Sequence, residues 1–154
     1  MTRAMPAARA MASRPSLEDL AVLGVRPAIT PESKPFWDAA AQSRLVVERC
    51  DDCGLHVFPP RGICRRCLGR SLSWVDVAPP AVLHAFTHNH HPWAPGLGVY
   101  TVGLVELPEH DRIRMVGVLD QLEREPRIGD LLDFTFTPFS EGLTRIGFVP
   151  WLGA

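Results

Sequence analysis

Four cysteines stand in two pairs, Cys50-Asp51-Asp52-Cys53 and Cys64-Arg65-Arg66-Cys67, with ten residues between the pairs. Two residues between ligands allow one tight turn to aim both sulfurs at the same ion. Two such turns facing each other close a tetrahedral cage. Gly54 directly follows the second cysteine, where a knuckle turn often requires positive φ. The chain has no other cysteine, so none is left over for a disulfide or a reactive thiol. Cys50, Cys53, Cys64 and Cys67 are therefore read as ligands of a structural Zn2+. Two disulfides would demand an export signal, and a thioredoxin-like pair would explain only one of the two motifs. Iron fits the same four-sulfur cage. Zinc is the default, and with four protein ligands and no open position it would hold the fold rather than do chemistry.

A second concentration of chemistry is the histidine cluster His84, His88, His90 and His91. On a regular strand His84, His88 and His90 share one face, where they can line a barrel mouth, contact a ligand or bind metal. The plainer reading is a polar, partly exposed strand end. A Pro/Gly-rich loop follows at 92–98, and loops of that kind often carry binding function. Arginines 49, 61, 65, 66 and 70 surround the cysteines and form the only basic concentration. They are suited to phosphates, to acidic residues of a partner, or to water alone. No nucleophile elbow, phosphate-binding glycine loop, dinucleotide fingerprint or paired-carboxylate motif is present, so no catalytic residue is assigned. Asp51, Asp52, Glu123 and Glu125 read as exposed charges.

The elements that must position these groups belong to an ordinary globular composition. The chain has 154 residues, 46% hydrophobic and 21% charged, with a formal net charge of −1. That balance argues against a protein held on nucleic acid by phosphate neutralisation. No apolar run approaches the length of a membrane span. The first fifteen residues are rich in Ala and Arg and lack acids. They resemble a transit peptide in composition but show no clear amphipathic face, so a disordered arm or an upstream start codon is the preferred reading. A cytoplasmic location is expected, where thiols stay available for metal.

Three regions follow: a flexible or helical arm over 1–34, a helix plus zinc ribbon over 35–78, and a barrel over 79–154. In the arm, Ser16 can cap a short helix carrying Leu17, Leu20, Ala21 and Leu23. Ser33 caps a second helix with Pro35 in its first turn and an apolar stripe of Phe36, Trp37, Ala40 and Ala41. Strands are expected at 45–49 and 72–77 around the knuckles, over a scanty core of Val47, Phe58, Ile63 and Trp74. From residue 81 the pattern is β throughout, with strands at 81–88, 99–107, 112–119, 131–137 and 143–149. Five strands without a helical period fit a small barrel, an OB-fold first and an SH3-like barrel second. Gly103 and Gly117 sit mid-strand, where barrels bend or bulge. The fold class is mainly β.

This order, with RCDDCG at 49–54, FPPRGICRRC at 58–67, VGLVEL at 102–107 and IGD at 128–130, resembles the family of OB-fold proteins with a rubredoxin-like zinc ribbon. The resemblance runs from about Pro35 to Pro150. It implies a subunit that accompanies a thiolase-like protein and acts beside acyl-CoA. Similar proteins bridge a thiolase to a second acyl-CoA enzyme, complete a steroid side-chain aldolase, or serve an acetyltransferase complex that modifies a phenolic polyketide. The catalytic residues would then lie mostly on the partner, in an acyltransferase or an aldolase. The small subunit would scaffold, shape the substrate channel or contact CoA, with His84, His88, His90, Arg61, Arg65 and Arg66 as candidate contacts. The arm before Pro27 is longer than the shared core requires. The alternative function is a single-stranded nucleic-acid-binding module, since OB-folds and zinc ribbons both serve that role. An electron carrier with iron in the cage is a third.

Overall fold

The structure, a computed structural model, describes residues 27–91, 98–140 and 143–153. The expected helix around 17–23 and most of the loop at 92–98 lie outside them. Helix α1 (Lys34–Ala41) follows Ser33 with Pro35 in its first turn. The Ser33 hydroxyl does not cap the helix; it accepts the Thr30 N–H (2.9 Å) in the preceding turn. The buried stripe is Phe36, Ala39 and Ala40, the i, i+3, i+4 spacing of one helix face. Ala41 is exposed, so Ala39 rather than Ala41 completes the stripe. The helix ends at Gln42, and Ser43 at φ 58° turns the chain toward the first strand.

Three short antiparallel strands form the ribbon, β1 (Val46–Cys50), β2 (His56–Val57) and β3 (Leu72–Asp76), in the order β2-β1-β3. Strand β2 is too short to announce itself, because two residues carry no alternation. Five longer strands then close a barrel: β4 (Ala81–Asn89), β5 (Tyr100–Leu107), β6 (Ile113–Leu119), β7 (Leu131–Ser140) and β8 (Leu143–Pro150). Their order is β4-β5-β6-β8-β7, with β7 returning to β4 and a single parallel contact between β6 and β8. This five-stranded Greek-key closure is the OB-fold, as expected from the strand pattern.

The helix, the ribbon and the barrel share one core. Phe36, Leu45, Val47 and Val77 pack in the same cluster as Leu83, Val105, Leu132 and Phe148. Strand β1 is thus anchored on the barrel at one end and supplies Cys50 at the other. The ribbon's own core differs from the expected one. Val47, Phe58 and Trp74 belong to the large barrel-side cluster, and Leu55 and Val57 join Cys50 and Cys64 around the knuckles instead. So small a cluster explains why a metal is required there.

Gly103 and Gly117 carry no bulge, since the β5–β6 register runs unbroken through both. They face each other across β5 and β6, and a Cβ on Gly117 would stand 2.6 Å from Phe148 Cε2. A Cβ on Gly103 would meet Leu119 Cδ2 at the same 2.6 Å. Their role is room for large neighbours. Register shifts fall instead in β7, between Pro138 and Ser140, and in β4, between Leu83 and Ala85, where His84 is left as the extra residue of a bulge.

Candidate metal centre

The two knuckles have one backbone design. Cys50 N–H donates to Leu55 O and Cys64 N–H to Gly69 O, both at 2.9 Å. Gly54 N–H returns to Cys50 O (2.8 Å), and Leu68 N–H to Cys64 O (3.0 Å). Each turn needs a left-handed residue just after its second cysteine; Gly54 (φ 75°) and Leu68 (φ 62°) supply it. Strands β1 and β2 carry the first knuckle between them, and the crossing from Phe58 brings the second to meet it.

All four sulfurs lie within 4.8 Å of one another, with Cys50–Cys67 and Cys53–Cys64 each at 3.5 Å. A tetrahedral ZnS4 unit with Zn–S near 2.3 Å has edges of about 3.8 Å, so the cage has the size that zinc requires. The amides of Cys67 and Arg66 point at the Cys64 sulfur and hold its thiol down at about 6. The Gly69 amide pulls Cys67 the same way, but the neighbouring sulfurs of Cys50, Cys53 and Cys64, together with burial, push it up to about 12. Four thiols this close cannot all ionise without a cation among them. The donor set fits a structural Zn2+, held by Cys50, Cys53, Cys64 and Cys67.

Behind the cage, Glu48 is the acid that sequence patterning did not single out. It is 4% exposed, and its carboxylate accepts the Arg61 N–H (3.1 Å), with Gly62 N–H as a further donor. Burial raises its pKa, partly opposed by those two amides. Glu48 therefore pins the Pro-Pro-Arg-Gly crossing between knuckles. Replacing Glu48 with Ala strands two amides, and a loss of about 1–3 kcal/mol is expected. A lower denaturant midpoint with unchanged zinc content is the readout; an unmoved midpoint contradicts this role.

The bulge at His84 divides the histidine cluster. His84 stands on the outer face of β4, 3.9 Å from Glu106, which also holds Arg114 at 3.0 Å. His88 lies on the same side as Phe86, whose ring packs on the barrel core. His84, His88 and His90 therefore do not share one face as a regular strand would place them. His88 Nδ1 is 2.8 Å from Thr101 Oγ1, and Nε2 is 2.8 Å from Glu125 Oε1. The His90 ring centroid is 6.2 Å from that of His88. Glu125 is exposed, as its sequence context suggests, and its carboxylate also meets His88. Arg61, Arg65 and Arg66 lie on the ribbon, exposed.

A clasp between ribbon and barrel was hidden in the sequence. Asp111, in the β5–β6 turn, accepts both the His56 N–H (2.8 Å) and His56 Nδ1 (2.9 Å). These bonds hold its carboxyl below the ordinary range. His110 stacks edge-on against His56 with centroids 4.9 Å apart, and burial followed by that neighbour lowers its pKa. Nearby, Arg44 grips Asp76 through both carboxylate oxygens at 2.7 and 2.9 Å. A groove of about 350 Å³ is lined by that pair together with Leu45, Val77, Asp133, Phe134 and Phe136. None of the six candidate contact residues lines it.

A knuckle cage mounted on a closed five-strand barrel defines the class: a rubredoxin-like zinc ribbon joined to an OB-fold. Residues 37–73 match the family model for the ChsH2 rubredoxin-like zinc ribbon domain, and 74–137 that for the ChsH2 C-terminal OB-fold domain. The chain belongs to this ChsH2, or DUF35, family. It superposes on a chain of the solved "Ltp2-ChsH2(DUF35) aldolase" with a TM-score of 0.73 and 31% identity, covering 81% of this chain and 98% of that one. A protein of unknown function from the DUF35 family of Sulfolobus solfataricus shares the fold, with a TM-score of 0.57, 15% identity and coverage of 78% and 85%. The "Probable enoyl-CoA hydratase alpha subunit" of Thermomonospora curvata is 33% identical over 118 residues, 67% of this chain and 37% of that protein. The chain thus spans well under half the length of that relative. Among the described residues no helix is long and apolar enough to cross a membrane.

Proposed function

We propose that the protein is an accessory subunit of an acyl-CoA enzyme complex, paired with a thiolase-like subunit that carries catalysis. The observation that supports this most is its likeness, at 31% identity, to nearly the whole of a chain from an assembly described as an aldolase. The chemistry of the metal centre agrees with it. Four protein sulfurs fill a tetrahedral ion's coordination, so the zinc offers no open position for a substrate. Its work is structural. The reaction served is an acyl transfer or a carbon–carbon cleavage, in a cytoplasmic complex. Acyl-CoA would lie at the interface of the two subunits.

Within that reading, His88 is the best-placed channel residue, held by Thr101 and Glu125 beside His90. His84 and the arginines Arg61, Arg65 and Arg66 lie apart from it and would meet CoA or the partner on other surfaces. The nucleic-acid alternative is the weaker reading, because Phe86, Phe134 and Phe136 pack against the core instead of standing out for base stacking.

Affinity purification of the tagged full chain from its native host is expected to recover a thiolase-fold protein in stoichiometric amount. Replacing both His88 and His90 with Ala in that complex should lower turnover or substrate binding while zinc content and assembly persist. A chain that purifies without such a partner contradicts the proposal. Unchanged turnover and binding would remove the histidines from it.

A further inference from the structure

The two knuckles share a backbone path but not a surface. In the first, Asp51 and Asp52 lie between the cysteines, Gly54 takes the positive φ, and Leu55 behind it is buried. In the second, Arg65 and Arg66 occupy the matching places, Leu68 takes the positive φ, and Gly69 follows. The order of glycine and leucine is reversed. A leucine in the left-handed region crowds its own backbone. This one is also 70% exposed, so neither conformation nor burial favours it in the isolated chain.

The charges are used differently as well. Asp51 accepts the Ser71 and Ser73 hydroxyls at 2.8 and 2.6 Å, which ties the acidic knuckle to β3. Several arginines of the barrel are engaged: Arg114 with Glu106, Arg124 with Asp130, and Arg145 with Asp120. Arg65, Arg66 and Arg70 make no side-chain ion pair or hydrogen bond among the described residues, and their one charge effect, Arg66 on Asp111, is the smallest of those that hold that carboxyl low. Residues 65–68 are all exposed, so the second knuckle projects as a tip with an apolar centre and a cationic rim.

We infer that this tip is a docking element, seating Leu68 in an apolar pocket of the larger subunit while Arg65, Arg66 and Arg70 meet an acidic rim around it. The inference rests on the proposed complex and names the surface through which it forms. Shape separates a protein partner from a free nucleotide. Small-molecule sites are concave, whereas residues 65–68 are exposed throughout and take no part in the groove at Arg44 and Asp76. Protein interfaces use an apolar anchor ringed by polar contacts, with arginine enriched. The knuckle turn fixes the positive φ; what docking accounts for is an exposed leucine at the place where the first knuckle has glycine.

The test titrates the zinc-loaded full chain against the thiolase-type subunit with which it copurifies. Leu68→Gly relieves the strained φ, so the isolated chain should keep its zinc and melt no lower than wild type. The same change should weaken the complex by roughly tenfold or more. Arg65→Glu with Arg66→Glu should slow association and flatten its salt dependence. A Leu68→Gly chain that binds as tightly as wild type overturns the inference and leaves the proposed function standing. Absence of any thiolase-type partner removes both.

Discussion

Stripping the metal is expected to unfold the ribbon and to loosen the barrel with it. Cys50, Leu55, Val57 and Cys64 make up the buried cluster at the knuckles, too little apolar area to hold two turns and three short strands. Structural zinc sites of this kind carry apparent binding energies of about 10–16 kcal/mol near neutrality. The loss does not stay local, because β1 runs from Cys50 back to Val46 and Val47 in the shared core. Chelation, or Cys50→Ser, should therefore abolish zinc binding and lower the melting temperature of the whole chain. The effect is pH-dependent with a definite sign. With its thiol near 6, Cys64 is ionised at neutrality and takes up a proton only in acid. Cys67, near 12, must release its proton whenever the metal enters. Affinity should thus fall as pH drops toward about 5, and a chelator should compete better there. A metal-free chain that melts with the holo-protein would contradict this account of the cage.

The second large effect is expected in the barrel, at Phe148. The residue is 1% exposed and its ring fills the space left open by Gly117, while the ring of Phe134, its partner on β7, lies 6.3 Å away. Phe148→Ala should cost about 3–5 kcal/mol, a large part of a small domain's total stability. Gly117→Ala attacks the same contact from the other side, with its new methyl 2.6 Å from Phe148 Cε2. About 1–3 kcal/mol is expected for that overpacking. The two sites touch, so they should not add. Gly117→Ala combined with Phe148→Leu should be less damaging than the sum of the single changes in denaturant melts. Strict additivity would show that the glycine has another role.

These expectations also mark what local sequence can reveal. The cysteine knuckles were legible because ligand spacing and a following left-handed position lie within a few residues. The barrel strands were legible because alternation repeats along each of them, even where β5 is apolar on both faces. The bulge was not, since one added residue at His84 leaves its neighbours' composition unchanged while reversing which side the later histidines face. The helix stripe slipped from Ala41 to Ala39 because a small residue at either place satisfies the pattern; packing against β8 and β7 decides between them. The clasp from His56 to Asp111 spans 55 residues, and His88 to Glu125 spans 37. Each depends on how the turns meet in space, and nothing in a local window announces such a pair. Glu48 was hidden for the same reason, since its donors Arg61 and Gly62 come from the far side of the first knuckle.

The claim at the centre of this account is that the chain completes an acyl-CoA enzyme without performing its chemistry. Reconstitution tests it most directly. The copurified complex is separated into its two components, each is assayed for acyl-CoA turnover, and the components are then remixed. The chain alone should be inactive, the thiolase-like subunit weak or unstable, and the remixed pair fully active. Turnover by the isolated chain, or a partner indifferent to its presence, would contradict the account.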